Sequence, residues 1–160
     1  MTNRSRLTSV TLGVALGVTV GVTLLASCAA AAPATVGVAR TTGKLAPCPE
    51  GSRNCVNTQA AAGDTQHAIA PLTFTGTADV AKAKLRQVIE SMPRTKIVSD
   101  EGNYLHAEFT SLIFRFVDDV EFVIDAGAQR IDFRSSSRVG QGDMGVNRNR
   151  MEEIRTKFNQ

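Results

Sequence analysis

The chain has 160 residues, 21% of them charged; this is a one-domain length with an ordinary globular charge share, which excludes a multidomain enzyme or a long repeat array. Two of its 18 basic side chains, Arg4 and Arg6, lie in residues 1–27, which hold no acid, so beyond that segment the chain is nearly neutral against 15 acids despite a formal net charge of +3. That balance, with no Trp and one Tyr available for base stacking, argues against nucleic acid as a partner.

Residues 7–27, LTSVTLGVALGVTVGVTLLAS, are uncharged and follow directly on the two arginines. A basic start, an apolar stretch and small residues before a cut site make a secretory signal. The stretch ends in Leu25-Ala26-Ser27-Cys28, which resembles a bacterial lipobox. That resemblance implies a lipoprotein signal peptide over 1–27 and acyl chains such as palmitate on Cys28. The rival is an uncleaved anchor, since a helix over 7–27 would span about 30 Å. Either way the arginines hold the N-terminus in the cytoplasm and the domain outside. The expected location is the cell envelope, facing the extracytoplasmic space, at the outer membrane if the organism has two. A membrane reached through Cys28 is thus the first expected partner.

Residues 28–46 are Ala-, Thr-, Gly- and Val-rich without periodicity and read as a flexible tether, leaving 47–160 as a single domain. With Cys28 lipidated, Cys48 and Cys55 remain and can pair in an oxidising compartment. A metal pair competes, but Cys-x6-Cys lacks a second ligand pair at zinc spacing. Residues 57–74 read as an irregular arm carrying His67 as a solvent-facing or capping side chain.

A helix is expected from an N-cap at Thr77, with Asp79 in its first turn and an apolar stripe of Val80, Ala81, Leu85, Val88, Ile89 and Met92. Pro93 ends it. Residues 95–136 then read as a four-strand antiparallel meander: Lys96–Ser99, Tyr104 to about Phe116 with a bulge at Thr110-Ser111, Val120–Asp125 and Arg130–Ser136. Asp118-Asp119 is expected to bend the chain between the middle two. A four-residue loop at 126–129 sets Asp125 opposite Arg130, Val123 opposite Asp132 and Glu121 opposite Arg134. The other face then pairs Ile124 with Ile131 and Phe122 with Phe133. A last helix starts near Asn147 and buries Met151, Ile154 and Phe158. The expected fold is a two-layer α+β domain, a four-stranded antiparallel meander covered by two helices in the order α-β-β-β-β-α.

Between the last strand and helix lies RSSSRVGQGDMGVNRNR, residues 134–150, with three glycines, one Asp and four arginines. Such a segment can hold itself together by hydrogen bonds or cup a carboxylate or phosphate. Gly140-x-Gly142-x-x-Gly145 matches a dinucleotide fingerprint only in form, because the surrounding hairpin is antiparallel. Candidate binding residues are Asp118, Asp119, Arg134, Ser137, Arg138, Asp143, Asn147 and Arg148. The serines at 135–137 have no evident base, and adjacent acids at a strand bend do not define a glycosidase pair. No cofactor or metal is expected, and whether any reaction is catalysed stays open.

The chain resembles the uncharacterised bacterial and plant family called domain of unknown function 1499. The resemblance rests on Cys48-Pro49, Asn54-Cys55-Val56, Ile69-Ala70-Pro71-Leu72, Phe116-Val117-Asp118-Asp119-Val120-Glu121-Phe122, Arg134-Ser135-Ser136-Ser137-Arg138-Val139-Gly140 and Asp143-Met144-Gly145-Val146-Asn147-Arg148. It covers about residues 47–157. The family commonly has Ser-Pro where this chain has Ser52-Arg53, and Ser-Ser where it has Asn57-Thr58. It implies no activity. The preferred expectation is a non-catalytic envelope lipoprotein that binds an envelope protein or component; the alternative is a small-anion binder or hydrolase using 134–150.

Overall fold

A computed structural model describes residue 33 and residues 35–160. The signal peptide, Cys28 and the first part of the expected tether lie outside the described residues. Nine elements follow in chain order: α1 (Ala39–Thr42), β1 (Cys55–Asn57), β2 (Leu72–Thr73), α2 (Ala78–Glu90), β3 (Thr95–Glu101), β4 (Tyr104–Thr110), β5 (Val117–Asp125), β6 (Arg130–Ser137) and α3 (Val146–Phe158). Among the described residues no helix is long and apolar enough to cross a membrane.

The α+β class and the meander β3-β4-β5-β6 are as expected, but the sheet is larger. Its order is β1-β6-β5-β4-β3, with β2 also paired to β6. β1 and β2 have three and two residues, too few for a readable alternation, and both sit on the outer edge of the longer β6. The hairpin register is the expected one: Asp125↔Arg130, Val123↔Asp132, Glu121↔Arg134, Ile124↔Ile131 and Phe122↔Phe133.

One boundary moves. The expected long strand stops at Thr110, residues 111–116 form the loop, and Asp118 and Asp119 lie inside β5 opposite Phe109 and Glu108. Leu112, Ile113, Phe114 and Phe116 look like strand residues but are exposed. The two acids look like turn residues but are buried, because cations within the fold neutralise them.

Alternation divides the sheet into two faces. Leu105, Phe122, Ile131 and Phe133 point toward the helices and meet Leu85, Ile89, Met151 and Ile154. Burying each such side chain contributes about 1.5–3 kcal/mol. Thr77 caps α2 by accepting from Val80 N–H (3.4 Å), while Val80 itself is exposed rather than part of the stripe. The opposite face carries Tyr104, His106, Asp119, Glu121, Asp132 and Arg134, all buried. Residues 35–46, within the expected tether, lie along it. Gly37 N–H donates to Glu121 Oε1 (2.8 Å), Ala39 and Leu45 pack with Tyr104 and Val123, and Asn57 Nδ2 donates to the Ala46 carbonyl (2.9 Å). The Cys48–Cys55 disulfide follows directly. Closing so short a loop is worth about 2.5 kcal/mol of chain entropy.

Candidate functional site

Neighbouring residues of a strand face opposite ways, so the candidate set does not converge. Asp118 lies on the helix side of β5 and Asp119 on the far side, and the paired-carboxylate arrangement is ruled out.

On the helix side Asn147, in the first turn of α3, is the hub. Its Nδ2 lies 3.0 Å from the Asn54 carbonyl, 3.0 Å from Ser137 Oγ and 2.8 Å from Asp143 Oδ2. Its Oδ1 accepts from Ser135 Oγ (2.5 Å) and Arg150 (2.7 Å). Arg150 also forms a short ion pair with Asp118 and lies 4.8 Å over the Phe109 ring. Asp143 accepts from Gly145 N–H (2.9 Å) and Asn147 N–H (2.7 Å), capping the helix and fixing the turn through Met144, whose φ of 53° is costly for a bulky residue. Asn147, Ser135 and Asp118 are all buried. Arg150 lies outside the candidate set, although it stands one helical turn from Asn147 on the same side.

Across the sheet Arg138 embraces Asp119. Its Nε donates to Oδ2 and a terminal nitrogen to Oδ1, both at 2.8 Å, and it forms a shorter contact with Glu108. His106 Nε2 lies 2.9 Å from Asp119 Oδ1. Burial would raise the Asp119 pKa, but Arg138 and His106 outweigh it and hold the carboxyl below its usual range. The Arg138 guanidinium is in turn held charged by Asp119 and Glu108 against its burial.

Farther along the same face Glu121 Oε1 accepts from Tyr104 Oη and Gly37 N–H, each at 2.8 Å. Arg134 approaches Glu121 Oε2 only to 3.7 Å, and among the described residues Glu121 Oε2 and Arg134 Nε have no hydrogen-bond partner. Burial lowers the Arg134 pKa, opposed by Glu121 and Asp119. Burial first, then Glu121, pushes the Tyr104 hydroxyl well above its ordinary value.

His67 is buried, not solvent-facing. Its Nδ1 contacts Asp64 Oδ2 and its Nε2 the Ser52 carbonyl, both at 2.8 Å, which locks the 52–67 segment. Among the described residues no group of three His, Cys, Asp or Glu side chains is placed to hold a metal.

One of the clefts open to solvent, of about 550 Å³, lies between the Cys48–Cys55 loop, Gln66 and residues 142–148. Arg148 stands in it, donating to the Gln66 and Ala68 carbonyls (3.1 and 3.0 Å). Arg53 faces the same cleft, and its guanidinium has no hydrogen-bond or ion-pair partner among the described residues. Its backbone N–H donates to the Gln141 carbonyl (2.6 Å), joining the disulfide loop to the Gly-rich loop. Two guanidinium groups facing one cleft suit a carboxylate or phosphate. Of the sequence candidates, only Arg148, Asp143 and Asn147 line it.

A family model described as protein of unknown function (DUF1499) matches residues 44–158. No curated protein matches the chain.

Proposed function

The chain belongs to the DUF1499 family, and from that footing we propose that it is a membrane-anchored lipoprotein of the cell envelope whose domain binds rather than catalyses. The observation carrying this reading is that most of the charged candidates are taken up by partners within the fold. Asp118, Asp119, Asp143 and Arg138 are bound to such partners, and Arg134 is buried 3.7 Å from Glu121. Ser135 and Ser137 are committed to Asn147. In the hydrolase alternative at 134–150, Ser135 and Ser137 lack the adjacent base that a serine hydroxyl needs to react, whereas Ser52 Oγ lies 3.3 Å from His67 Nε2, a nitrogen that also contacts the Ser52 carbonyl at 2.8 Å.

Binding falls to the cleft beside α3. Arg53 and Arg148 favour a small anion there, or an envelope component carrying a carboxylate or phosphate. Anchoring is supported by Leu25-Ala26-Ser27-Cys28 after the uncharged 7–27 stretch. Acyl chains bury about 0.8 kcal/mol per methylene, and more than one chain is needed for stable attachment.

Labelling growing cells with radioactive palmitate tests the anchor. The wild-type chain is expected to carry label and to begin at Cys28 by intact mass, while Cys28→Ser keeps residues 1–27 and takes up no label. Unlabelled wild-type protein with residues 1–27 still attached would replace the lipoprotein with an uncleaved anchor.

A further inference from the structure

Among the described residues, the loop at 111–116 gathers a run of exposed large apolar side chains. Leu112, Ile113 and Phe114 are 69%, 78% and 72% exposed, and Phe116 follows at 51%. They are not a frayed end. Ser111 N–H donates to the Phe116 carbonyl (2.8 Å) and Phe116 N–H donates to Ser111 Oγ (2.9 Å), closing the loop on itself. The Phe114 and Phe116 rings stack with centroids 5.5 Å apart. A contiguous apolar tip held out on a closed loop marks an interaction surface.

Its charge surroundings point to the occupant. Arg115 lies within the tip at φ 56°, and Arg94 anchors its base through Nε to the Thr110 carbonyl (3.1 Å). Lys96 is exposed on the neighbouring strand. The acids at this end, Glu108, Asp118 and Asp119, are neutralised by Arg138 and Arg150. An apolar tip with a cationic base is the pattern that enters the interface of an anionic bilayer.

The course of the arm bears on which end of the domain would face the anchor. Gly37 stands at the level of Glu121, Ala39 at that of Tyr104 and Val123, and residues 42–45 beside Asn103 and Ala126. From Gly37 to Leu45 the arm therefore runs in the direction of β5, away from the 111–116 loop. Its start lies nearer the loop's end of the sheet than any later part. The segment preceding it in sequence includes the uncharged stretch 7–27 and Cys28.

We propose that the 111–116 loop is a second membrane contact, inserting Leu112, Ile113, Phe114 and Phe116 into an anionic lipid surface and holding the domain with that end down. The orientation rests on the membrane-anchored reading above; the loop's affinity for anionic lipid does not.

The chain has no Trp, so Phe114→Trp installs a single fluorescent reporter, with Ala126→Trp in the β5–β6 turn as the control at the opposite end. Full-length protein is mixed with phosphatidylcholine vesicles with and without phosphatidylglycerol, flotation reports attachment, and brominated acyl chains act as quenchers. The Phe114→Trp emission is expected to shift to the blue and lose at least half its intensity to the quencher on anionic vesicles, less on neutral ones, while Ala126→Trp stays unquenched. Floating protein with equal quenching at both positions, or with none, overturns the loop contact and leaves the anchor standing. Quenching at Phe114→Trp in protein shown by mass to be unacylated supports the loop and removes the anchor. A blue shift that follows protein concentration without quenching assigns the patch to a second copy of the chain and overturns the proposal, as does failure to float on anionic vesicles.

Discussion

Arg138→Ala is expected to destabilise the domain by about 3–5 kcal/mol, because it strands the buried Asp119 carboxylate beside His106 with its main counter-ion gone. For a domain of this size that is a fall in Tm of about 10 °C or more. The pH dependence follows from the Asp119 shift. Its folded pKa lies below the unfolded value, so its contribution is present above about pH 4 and is lost as the pH falls through the lowered folded value. Without Arg138 only His106 opposes the burial, and the folded pKa is expected to rise instead. The variant then loses stability as the pH rises and regains it in acid. Thermal melts of the two proteins should differ most near neutrality and converge below about pH 4. A gap that is constant with pH would mean that Asp119 is not the partner that matters, and a variant melting like the wild type would return Arg138 to the list of ligand-binding residues.

The second large effect belongs to Glu121. Glu121→Ala removes the acceptor for Tyr104 Oη and Gly37 N–H and leaves the Arg134 guanidinium buried without a carboxylate, which costs about 3–5 kcal/mol. The pair itself is imperfect: Glu121 and Arg134 approach no closer than 3.7 Å, and each has an unpartnered atom. Exchanging both for apolar residues should therefore recover the part of the loss that comes from the stranded Arg134 charge, but not the part from Tyr104 and Gly37. Chemical denaturation of Glu121→Ala and of the double variant Glu121→Leu, Arg134→Met checks this, with the double variant expected above the single one but about 1–3 kcal/mol below the wild type, because Tyr104 Oη and Gly37 N–H still lack their acceptor. If the double variant is as unstable as the single one, the hydrogen bonds to Tyr104 and the arm carry the energy instead of the ion pair.

These two positions explain why the sequence was legible for the fold and much less so for the site. The meander follows from pairing chemistry: a two-residue loop would oppose Glu121 to Asp132, the four-residue loop sets it against Arg134, and the second register is the one observed. The helices follow from Thr77, from the Leu85–Ile89 stripe and from Met151–Ile154–Phe158. Burial of charge is what local reasoning cannot see. Asp118-Asp119 carries every mark of a turn until Arg138 and Arg150, distant in sequence, are brought to it. The loop was hidden for the converse reason, since Leu112, Ile113, Phe114 and Phe116 have strand character and their exposure is visible only in three dimensions. The arm's docking onto the sheet rests on a few contacts from Gly37, Ala39 and Leu45, spaced without helical or strand period. Arg53 was quoted in sequence only as a departure from the family pattern at Ser52-Arg53, yet it is the cleft cation without a partner among the described residues.

The account divides the charged residues of this domain into two kinds, those that hold it together and those that face a guest. Native mass spectrometry of the chain gently extracted from its own membranes tests that division most directly, with Arg53→Ala, Arg148→Ala as the paired variant. The prediction is an acylated chain beginning at Cys28 that retains a small anionic guest, and a variant that has lost it while still melting cooperatively, its Tm lowered only by loss of the Arg148 bonds to the Gln66 and Ala68 carbonyls. A guest kept undiminished by the variant, or a bare chain from both, would contradict the assignment of binding to the cleft.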